Sequence, residues 1–363
     1  MQMFFVAGIG IAVFIEILLI SKKNKSGSDK ILTVWMFVIL VHLFLFYIFF
    51  TRDIFSFPFL LGIEQPLPLL HGVFLYLYVA SLTKQLPAKR LLALLHFLPA
   101  ALMCAYLATF FALSSEQKIA IYKNRGAGYE TFNMLKSYAY SLSGLFYVIW
   151  STILLKRHQR NIRDQFSTLE KVNLQWLQIL TFGLGGIWFL VIFFGTDALI
   201  FSGVVVFIFL IGFFGIRQAD IFARGSAATE DNEPREKYQK SGLTEDASEE
   251  LHTELKRLMT DEALYKNSDL SISDLATKLG VHPNYLSQVI NQREKKNFYD
   301  FVTAYRIEEF KRLIGLQKNR QFTLLSLAHE CGFSSKTAFN RSFKKATGLT
   351  PSEYATKQNS SPA

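Results

Sequence analysis

Long apolar runs dominate residues 1–222, whereas residues 248–356 alternate short apolar groups with polar and charged positions. A helix that crosses a bilayer needs about 20 apolar residues, because its backbone groups must be satisfied within the segment. Seven runs approach that length and predict about seven transmembrane helices. The runs are approximately Met3 to Ile20, Ile31 to Phe50, Leu67 to Leu82, Leu91 to Phe111, Ser137 to Leu155, Leu177 to Phe194 and Ala198 to Ile216.

The C-terminal part has the start and stop signals of short helices and no alternation typical of strands. Ser271 followed by Asp274 resembles a capping box, and Gly280 is placed to end the helix that Ser271 begins. Pro283 then suits the first position of a second helix, which we expect to run to about Gln292. The pattern predicts a helix, a tight turn and a second helix.

The same arrangement occurs a second time 52 residues later. Ala276 and Gly280 recur as Ala328 and Gly332, a spacing in which a small residue permits close helix crossing and glycine permits a left-handed turn. Between the two copies, residues 297–316 are predicted to form one long helix. The fold class we predict is therefore all-α, a polytopic bundle followed by two helix-turn-helix units on a linker helix.

Composition divides the chain at the same place. Of its 363 residues 50% are hydrophobic, and 28 of the 35 phenylalanines lie in residues 1–222. Residues 256–363 carry 17 basic and 10 acidic side chains, and this net charge of +7 suits a polyanion such as DNA. We predict a transmembrane sensor or anchor domain in residues 1–222, a flexible acidic linker in 223–247 and a DNA-binding domain in 248–363.

Basic residues in short loops predict the orientation of the helices, because such loops stay on the cytoplasmic side. The loops after the first, third and fifth runs hold twelve lysines and arginines, and the other loops hold five. With seven crossings the N-terminus is then outside and the chain enters the cytoplasm at Arg217, on the side where DNA is. The expected location is a bacterial inner membrane.

Three stretches of the C-terminal part resemble the AraC/XylS family of bacterial transcription regulators. They are LSISDLATKLGVHPNYLSQVIN, NFYDFVTAYRIEEFKRLI and LLSLAHECGFSSKTAFNRSFKKATGLTPSEY. The N-terminal half does not resemble the soluble sugar-binding domain of well-known members and is similar to a membrane-anchored subgroup with multispan sensors. The resemblance implies that the second helix of each unit enters a major groove of DNA.

Helical periodicity separates inward from outward residues on these two second helices. In the first we expect Tyr285, Leu286, Val289 and Ile290 to point inward. Outward residues can bond base edges when they are Asn, Gln or Arg, whereas Lys mainly attracts phosphates. The predicted DNA-binding residues are Asn284, Ser287, Gln288, Lys336, Thr337, Asn340, Arg341 and Lys344.

Ionisable residues within apolar runs are candidates for function. Glu16, His71 and His96 form the candidate intramembrane ligand site. An alternative interpretation is that Glu16 lies at the interface and that the histidines bond backbone carbonyls within the bundle.

These patterns favour a membrane-bound, sequence-specific regulator that is not an enzyme and needs no cofactor or metal. Expected partners are double-stranded DNA, the lipid bilayer, a small-molecule or envelope signal, a second copy of the chain and the transcription machinery. One alternative is a transporter or membrane enzyme with an appended binding domain, but the spans show no catalytic constellation or ion pathway. Another is a helical module that docks a protein instead of DNA.

Overall fold

The computed structural model describes residues 2–170, 172, 174–225, 245–319 and 321–360. Within these residues every regular element is helical, and the one β-type pairing is an isolated antiparallel bridge between Phe166 and Ser271. The all-α prediction is therefore confirmed. The chain divides into two compact units, Met1–Arg157 with Leu174–Phe222, and His158–Asn173 with Ala223–Ala363.

Five helices of the first unit are long and apolar enough to cross a membrane. Their bounds are α1 Gln2–Ser21, α2 Gly27–Phe50, α8 Glu130–Gln165, α9 Gln175–Phe193 and α10 Asp197–Gly225, of which Asp197–Phe214 is the apolar part. The last turns of α8 and of α10 belong to the second unit. A sixth apolar helix, α3 Leu67–Leu82, has 16 residues.

The run predicted from Leu91 to Phe111 is not a single helix. It forms α4 Arg90–Leu95, α5 Leu98–Tyr106 and α6 Ala108–Phe111, and a polar helix, α7 Ser115–Lys123, follows. Pro99 lies at the start of α5 and has no backbone N–H to donate to the preceding turn. The helix is therefore interrupted after Leu95, although its apolar composition continues.

The first unit buries aromatic and aliphatic side chains between its helices and exposes others around its outside. Phe5, Trp35 and Leu75 are fully buried, whereas Phe182 and Phe193 are more than 60% exposed. Helices that are apolar on their outer faces as well as their inner ones are suited to a lipid surround.

The second unit contains seven helices among its described C-terminal residues. They are α11 Glu245–Thr260, α12 Ile272–Lys278, α13 Pro283–Val289, α14 Phe298–Ile314, α15 Leu324–Glu330, α16 Lys336–Thr347 and α17 Pro351–Ser360. Pairs α12–α13 and α15–α16 are the two predicted helix-turn-helix units, and α14 is the predicted linker helix. Residues 226–244, most of the predicted acidic linker, lie outside the described residues, and the predicted domain borders remain predictions.

The local signals that predicted these units recur in the backbone. Ser271 and Asp274 form a complete capping box at the start of α12. Gly280 and Gly332 have φ angles of +65° and +93°, the left-handed turns that each unit requires between its helices.

Two small cores lie along α14. Its first half contributes Phe298, Phe301 and Val302 to a core shared with α11, α12 and α13. Its second half contributes Ile307, Phe310 and Leu313 to a core shared with α15 and α16. One helix therefore supports both helix-turn-helix units, so the distance between them depends on the stiffness of α14.

Candidate nucleic-acid interface and ligand cavity

Helix α16 presents one fully polar face. Ala338, Phe339 and Phe343 are buried, while the opposite face carries the residues predicted to contact DNA. The Ser335 hydroxyl accepts a hydrogen bond from the Ala338 N–H at 3.2 Å and caps the helix. The exposed polar residues are Lys336, Thr337, Asn340, Arg341, Lys344 and Lys345.

Helix α13 presents a shorter and less basic face. Asn284 is exposed, whereas Ser287 and Gln288 are half-buried. In the turn after α13, the Asn291 amide donates to the Ser287 carbonyl at 2.8 Å and so lies along the same side. This face offers amides and a hydroxyl, groups that bond base edges, without a cation within α13 itself.

Tyr285 does not occupy the inward position that its spacing predicted. It is 40% exposed, and its ring packs edge-on against His282, with ring centroids 6.2 Å apart. Helix α13 has only seven residues, and Leu286 and Val289 are the two that reach the core within it. The Tyr285 ring therefore adds an apolar surface with a hydroxyl at the edge of the candidate interface.

Arg306 connects the two helix-turn-helix units at the middle of α14. Its guanidinium donates to the carbonyls of Tyr265 at 2.8 Å and Asn267 at 2.9 Å, which precede α12, and lies over the ring of Phe333, in the turn between α15 and α16. Burial lowers the pKa of Arg306 to about 10, so the group stays charged at neutral pH. A buried guanidinium with several acceptors holds its neighbours in one geometry.

Gly332 and Glu309 also contact the segment that precedes α12, as Arg306 does. A Cβ on Gly332 would lie 2.5 Å from the Tyr265 carbonyl oxygen, so the turn between α15 and α16 touches the backbone of the segment that precedes α12. Glu309 pairs with Lys266 at 3.0 Å and with Arg312 at 2.7 Å. Hydrogen bonding to Arg312, with a further bond from Lys266, lowers the pKa of Glu309 to about 2.

The first unit contains a cavity of about 540 Å³ between its helices. This volume is in the range of small-molecule sites. Its lining includes His42 and His71, whose ring nitrogens Nδ1 and Nε2 lie 2.9 Å apart. His71 Nδ1, Trp35 Nε1 and Trp188 Nε1 are buried without a hydrogen-bond partner among the described residues, and all three residues line the cavity.

One part of the cavity wall is a hydrogen-bonded polar network. Tyr122 donates to the Glu64 carboxylate, and Lys136 donates to the Gln65 side chain at 2.8 Å. Tyr140 donates to the Gln65 carbonyl. Burial and the adjacent Glu64 carboxylate raise the pKa of Tyr122, so its hydroxyl remains a donor.

The structure does not bring the three predicted ligand residues together. His71 lines the cavity, but neither Glu16 nor His96 does. Glu16 is buried on α1 with one carboxylate oxygen unpartnered among the described residues, and His96 Nδ1 lies 2.9 Å from the Tyr147 hydroxyl. Sequence spacing missed His42 as the partner of His71, because the two lie on different helices, 29 residues apart.

Comparisons with known proteins identify the C-terminal part of the chain. A family profile described as a helix-turn-helix domain matches residues 275–357. The chain is 33% identical over 153 residues to the uncharacterized transcriptional regulatory protein YesN of Bacillus subtilis, covering 40% of each protein. It is 31% identical over 93 residues to the HTH-type transcriptional regulator YijO of Escherichia coli, covering 26% of this chain and 32% of that protein. Residues 275–357 form an AraC-type helix-turn-helix domain.

One solved structure is similar to part of this chain. The C-terminal domain of AraT, a response regulator from Geobacillus stearothermophilus, is 26% identical, and the match covers 32% of this chain and 88% of that chain with a TM-score of 0.26. The chain spans 40% or less of the length of the curated relatives named above. Both relatives are named as transcription regulators.

Arg306 is the residue of the AraC-type domain that sequence reasoning missed. A signal was present, because Arg306 lies four residues after Val302 and four before Phe310 and so shares their apolar face. An arginine at such a position is buried only if acceptors surround it. Those acceptors are backbone carbonyls from distant segments, which no spacing rule identifies.

Proposed function

We propose that the chain is a membrane-embedded regulator whose AraC-type domain reads DNA with α13 and α16 and whose N-terminal unit senses a signal. The observation that carries the proposal is the pair of polar helix faces on two helix-turn-helix units that both pack against α14. Helix α14 has 17 residues and is about 25 Å long, somewhat less than the 34 Å between successive major-groove faces. The two faces are suited to successive major-groove segments on one side of the DNA.

The assignments of individual residues follow from their exposure and chemistry. Arg341, Asn284 and Gln288 are the proposed base readers, because Arg pairs with guanine and Asn or Gln with adenine. Ser287, Thr337 and Asn340 supply shorter polar contacts to the same grooves. Lys336 and Lys344 neutralise phosphates, which adds affinity without sequence preference.

A selection experiment tests this function on the full chain in lipid nanodiscs. Random double-stranded DNA is incubated with the protein at two salt concentrations, and the retained fraction is sequenced. We expect binding that weakens with salt and enriches two half-sites about one helical turn apart. Retention without enrichment would contradict sequence-specific reading, and no retention would favour the alternative in which the domain docks a protein.

Arg341→Ala provides the residue-level test of the same function. Loss of one base-reading arginine is expected to cost about 1 to 3 kcal/mol on the selected site and to relax its sequence preference. Lys318→Ala is the matched control, because Lys318 is an exposed cation outside α13 and α16. Equal effects of the two substitutions would show that Arg341 contributes charge only.

We place the N-terminal unit in a bacterial inner membrane with the AraC-type domain in the cytoplasm. Five long apolar helices support the membrane location. Basic residues support the orientation. They assign the segment between the fifth and sixth apolar runs to the cytoplasm, and residues 158–173 of that segment share a compact unit with the AraC-type domain. Lipid, a second copy of the chain and the transcription machinery are the further partners of this proposal.

The cavity of the first unit is the proposed sensing site, with His71 and its partner His42 in its wall. Indole N–H groups only donate, so the unpartnered Trp35 and Trp188 suit a largely apolar ligand with acceptor oxygens. A Val191→Trp variant would fill part of the cavity, and Ile179→Trp, on a residue 47% exposed, is its control. We expect organic extracts of the purified wild-type protein and of the control to contain a small molecule, seen by mass spectrometry, that Val191→Trp lacks. Identical extracts would contradict a ligand in this cavity.

A further inference from the structure

A short internal segment lies against the AraC-type domain within the second compact unit. The segment Phe166–Glu170, called here the docking loop, follows the end of α8 at Gln165. Ser167, Thr168 and Leu169 are at least 91% buried. Because this burial occurs in a loop and not in a helix, its backbone polar groups need partners from outside the segment.

Those partners are the backbone carbonyls that precede α12. The Ser167 N–H donates to the Leu270 carbonyl at 3.1 Å, and the Ser167 hydroxyl donates to the same oxygen at 2.6 Å. The Thr168 hydroxyl donates to the Ser268 carbonyl. The docking loop thus pairs with residues 268–271 as a strand-like addition to an otherwise helical domain.

Arg306 ties the docking loop to both helix-turn-helix units. Its guanidinium donates to the Ser167 carbonyl at 2.9 Å and to the Ser167 hydroxyl at 3.1 Å. The same guanidinium also binds the Tyr265 carbonyl and lies over Phe333. The contact with the docking loop therefore depends on how the two helix-turn-helix units are arranged and not on one of them alone.

The end of the docking loop touches the start of α16. The Ser335 hydroxyl, which caps α16, also donates to Glu170 Oε1 at 3.1 Å, and the Ser334 hydroxyl donates to Glu170 Oε2 at 3.2 Å. A helix N-terminus favours negative charge and is a common place for phosphate contacts. Glu170 puts a carboxylate where a DNA phosphate would approach α16.

We propose that the surface formed by residues 265–271, Arg306 and Ser334–Ser335 is a docking site for the docking loop, and that loop and DNA compete for the start of α16. The inference rests on the proposed reading role of α16. DNA binding requires the Glu170 carboxylate to leave, because it and a phosphate would repel each other and need the same donors. The docking loop is covalently continuous with α8 and leads to α9. A movement of these helices would therefore displace the loop from its site and change the affinity for DNA.

Removal of the Glu170 charge is the first test, made on the full chain in nanodiscs with the selected DNA. Glu170→Gln is expected to raise DNA affinity about three- to tenfold. Glu308→Gln is the matched control, because it makes the same charge change in the same unit at an exposed residue that pairs with Lys311. Affinity unchanged by Glu170→Gln, or raised equally by both substitutions, would overturn the proposal.

A cross-link tests the competition directly. Glu170→Cys and Ser334→Cys are combined with Cys104→Ser, which leaves only the buried Cys331 as a native thiol, and a short bismaleimide joins the new pair. Cross-linked protein is expected to bind DNA at least tenfold more weakly than the same variant treated with a monofunctional maleimide. Equal binding, or no cross-link at all, would overturn the proposal.

Arg341→Ala separates failure of this inference from failure of the proposed function. If Arg341→Ala leaves affinity unchanged, α16 does not read DNA and the proposed function fails together with the inference. If Arg341→Ala weakens binding while Glu170→Gln and the cross-link have no effect, the reading role stands and only the competition with the docking loop is wrong.

Discussion

Two glycines of the AraC-type domain share a left-handed backbone and differ in their surroundings. Gly332 has φ +93° and no room for a Cβ, which would meet the carbonyl oxygens of Tyr265 at 2.5 Å and Lys266 at 2.8 Å. Gly348 has φ +77° at the end of α16 and nothing within 4 Å of the same position. The pair separates the cost of backbone conformation from the cost of lost contact space.

We expect Gly332→Ala to destabilise the domain by about 2 to 5 kcal/mol and Gly348→Ala by about 1 to 2 kcal/mol. The larger value adds a backbone clash to the left-handed strain that both variants share. Buried Cys331 provides the measurement in the full chain, because its thiol reacts only when the domain opens. In a Cys104→Ser background, thiol labelling over a urea series gives the free energy of opening. Equal losses of stability would show that the backbone at Tyr265 and Lys266 shifts to make room for the new methyl group.

The exposed face of α16 was predictable at the residue scale, whereas the inner connections were not. Periodicity assigned Lys336, Asn340 and Arg341 outward because α16 is long enough for its apolar positions to repeat. Tyr285 was assigned wrongly because α13 ends after two turns and its packing partner is its neighbour His282. The hydrogen bonds of Arg306 join segments up to 139 residues apart, and local pattern carries no record of them.

At the scale of elements, α14 joins the two helix-turn-helix units through charge as well as packing. Glu309 is 8% exposed, accepts hydrogen bonds from Arg312 on its own helix and forms an ion pair with Lys266, which precedes α12. Its pKa of about 2 lies below the ordinary 4.5, so the folded domain favours the charged carboxylate. Its contribution to stability is then complete above about pH 4.5 and is lost as the pH falls towards 2.

Glu309→Gln tests that contribution. We expect the variant to be about 1 to 2 kcal/mol less stable at pH 7 and to lose less stability than the wild type between pH 5 and pH 3. Labelling of Cys331 with 4,4′-dithiodipyridine, which reacts with thiols in acid, follows the opening of the domain across this range. Glu308→Gln, at an exposed position, is the control. Parallel acid profiles for Glu309→Gln and the wild type would assign the acid sensitivity to other carboxylates.

The elements themselves were largely predictable, with failures where backbone chemistry overrides composition. The capping box of α12, the glycine turns and the linker helix followed from local signals that the structure confirms. The fourth apolar run was predicted as one helix because hydropathy averages over Pro99, which interrupts it. The docking loop was counted only for its basic neighbours, since a burial that depends on a partner 100 residues away has no signature in the loop itself.

At the scale of the whole molecule, the number of membrane crossings, odd or even, decides whether the AraC-type domain lies on the same side of the membrane as DNA. If α3 and the α4–α6 segment each count as one crossing beside the five long helices, the chain crosses seven times. An outside N-terminus then puts the end of α8, the docking loop and the AraC-type domain on the same side. The loop before α8 should lie on the opposite side, because it follows an even number of crossings.

Reporter fusions at two positions along the chain test this topology. Alkaline phosphatase, active only outside the cytoplasm, is joined after Gly128 or after Arg217, and a fluorescent protein that matures only inside is joined at the same two positions. We expect phosphatase activity after Gly128 and fluorescence after Arg217, because the basic loops are retained inside. Phosphatase activity after Arg217 would place the AraC-type domain away from DNA. Such a result would reject the membrane-bound regulator even if the domain binds DNA in solution, because α13 and α16 would never meet the chromosome.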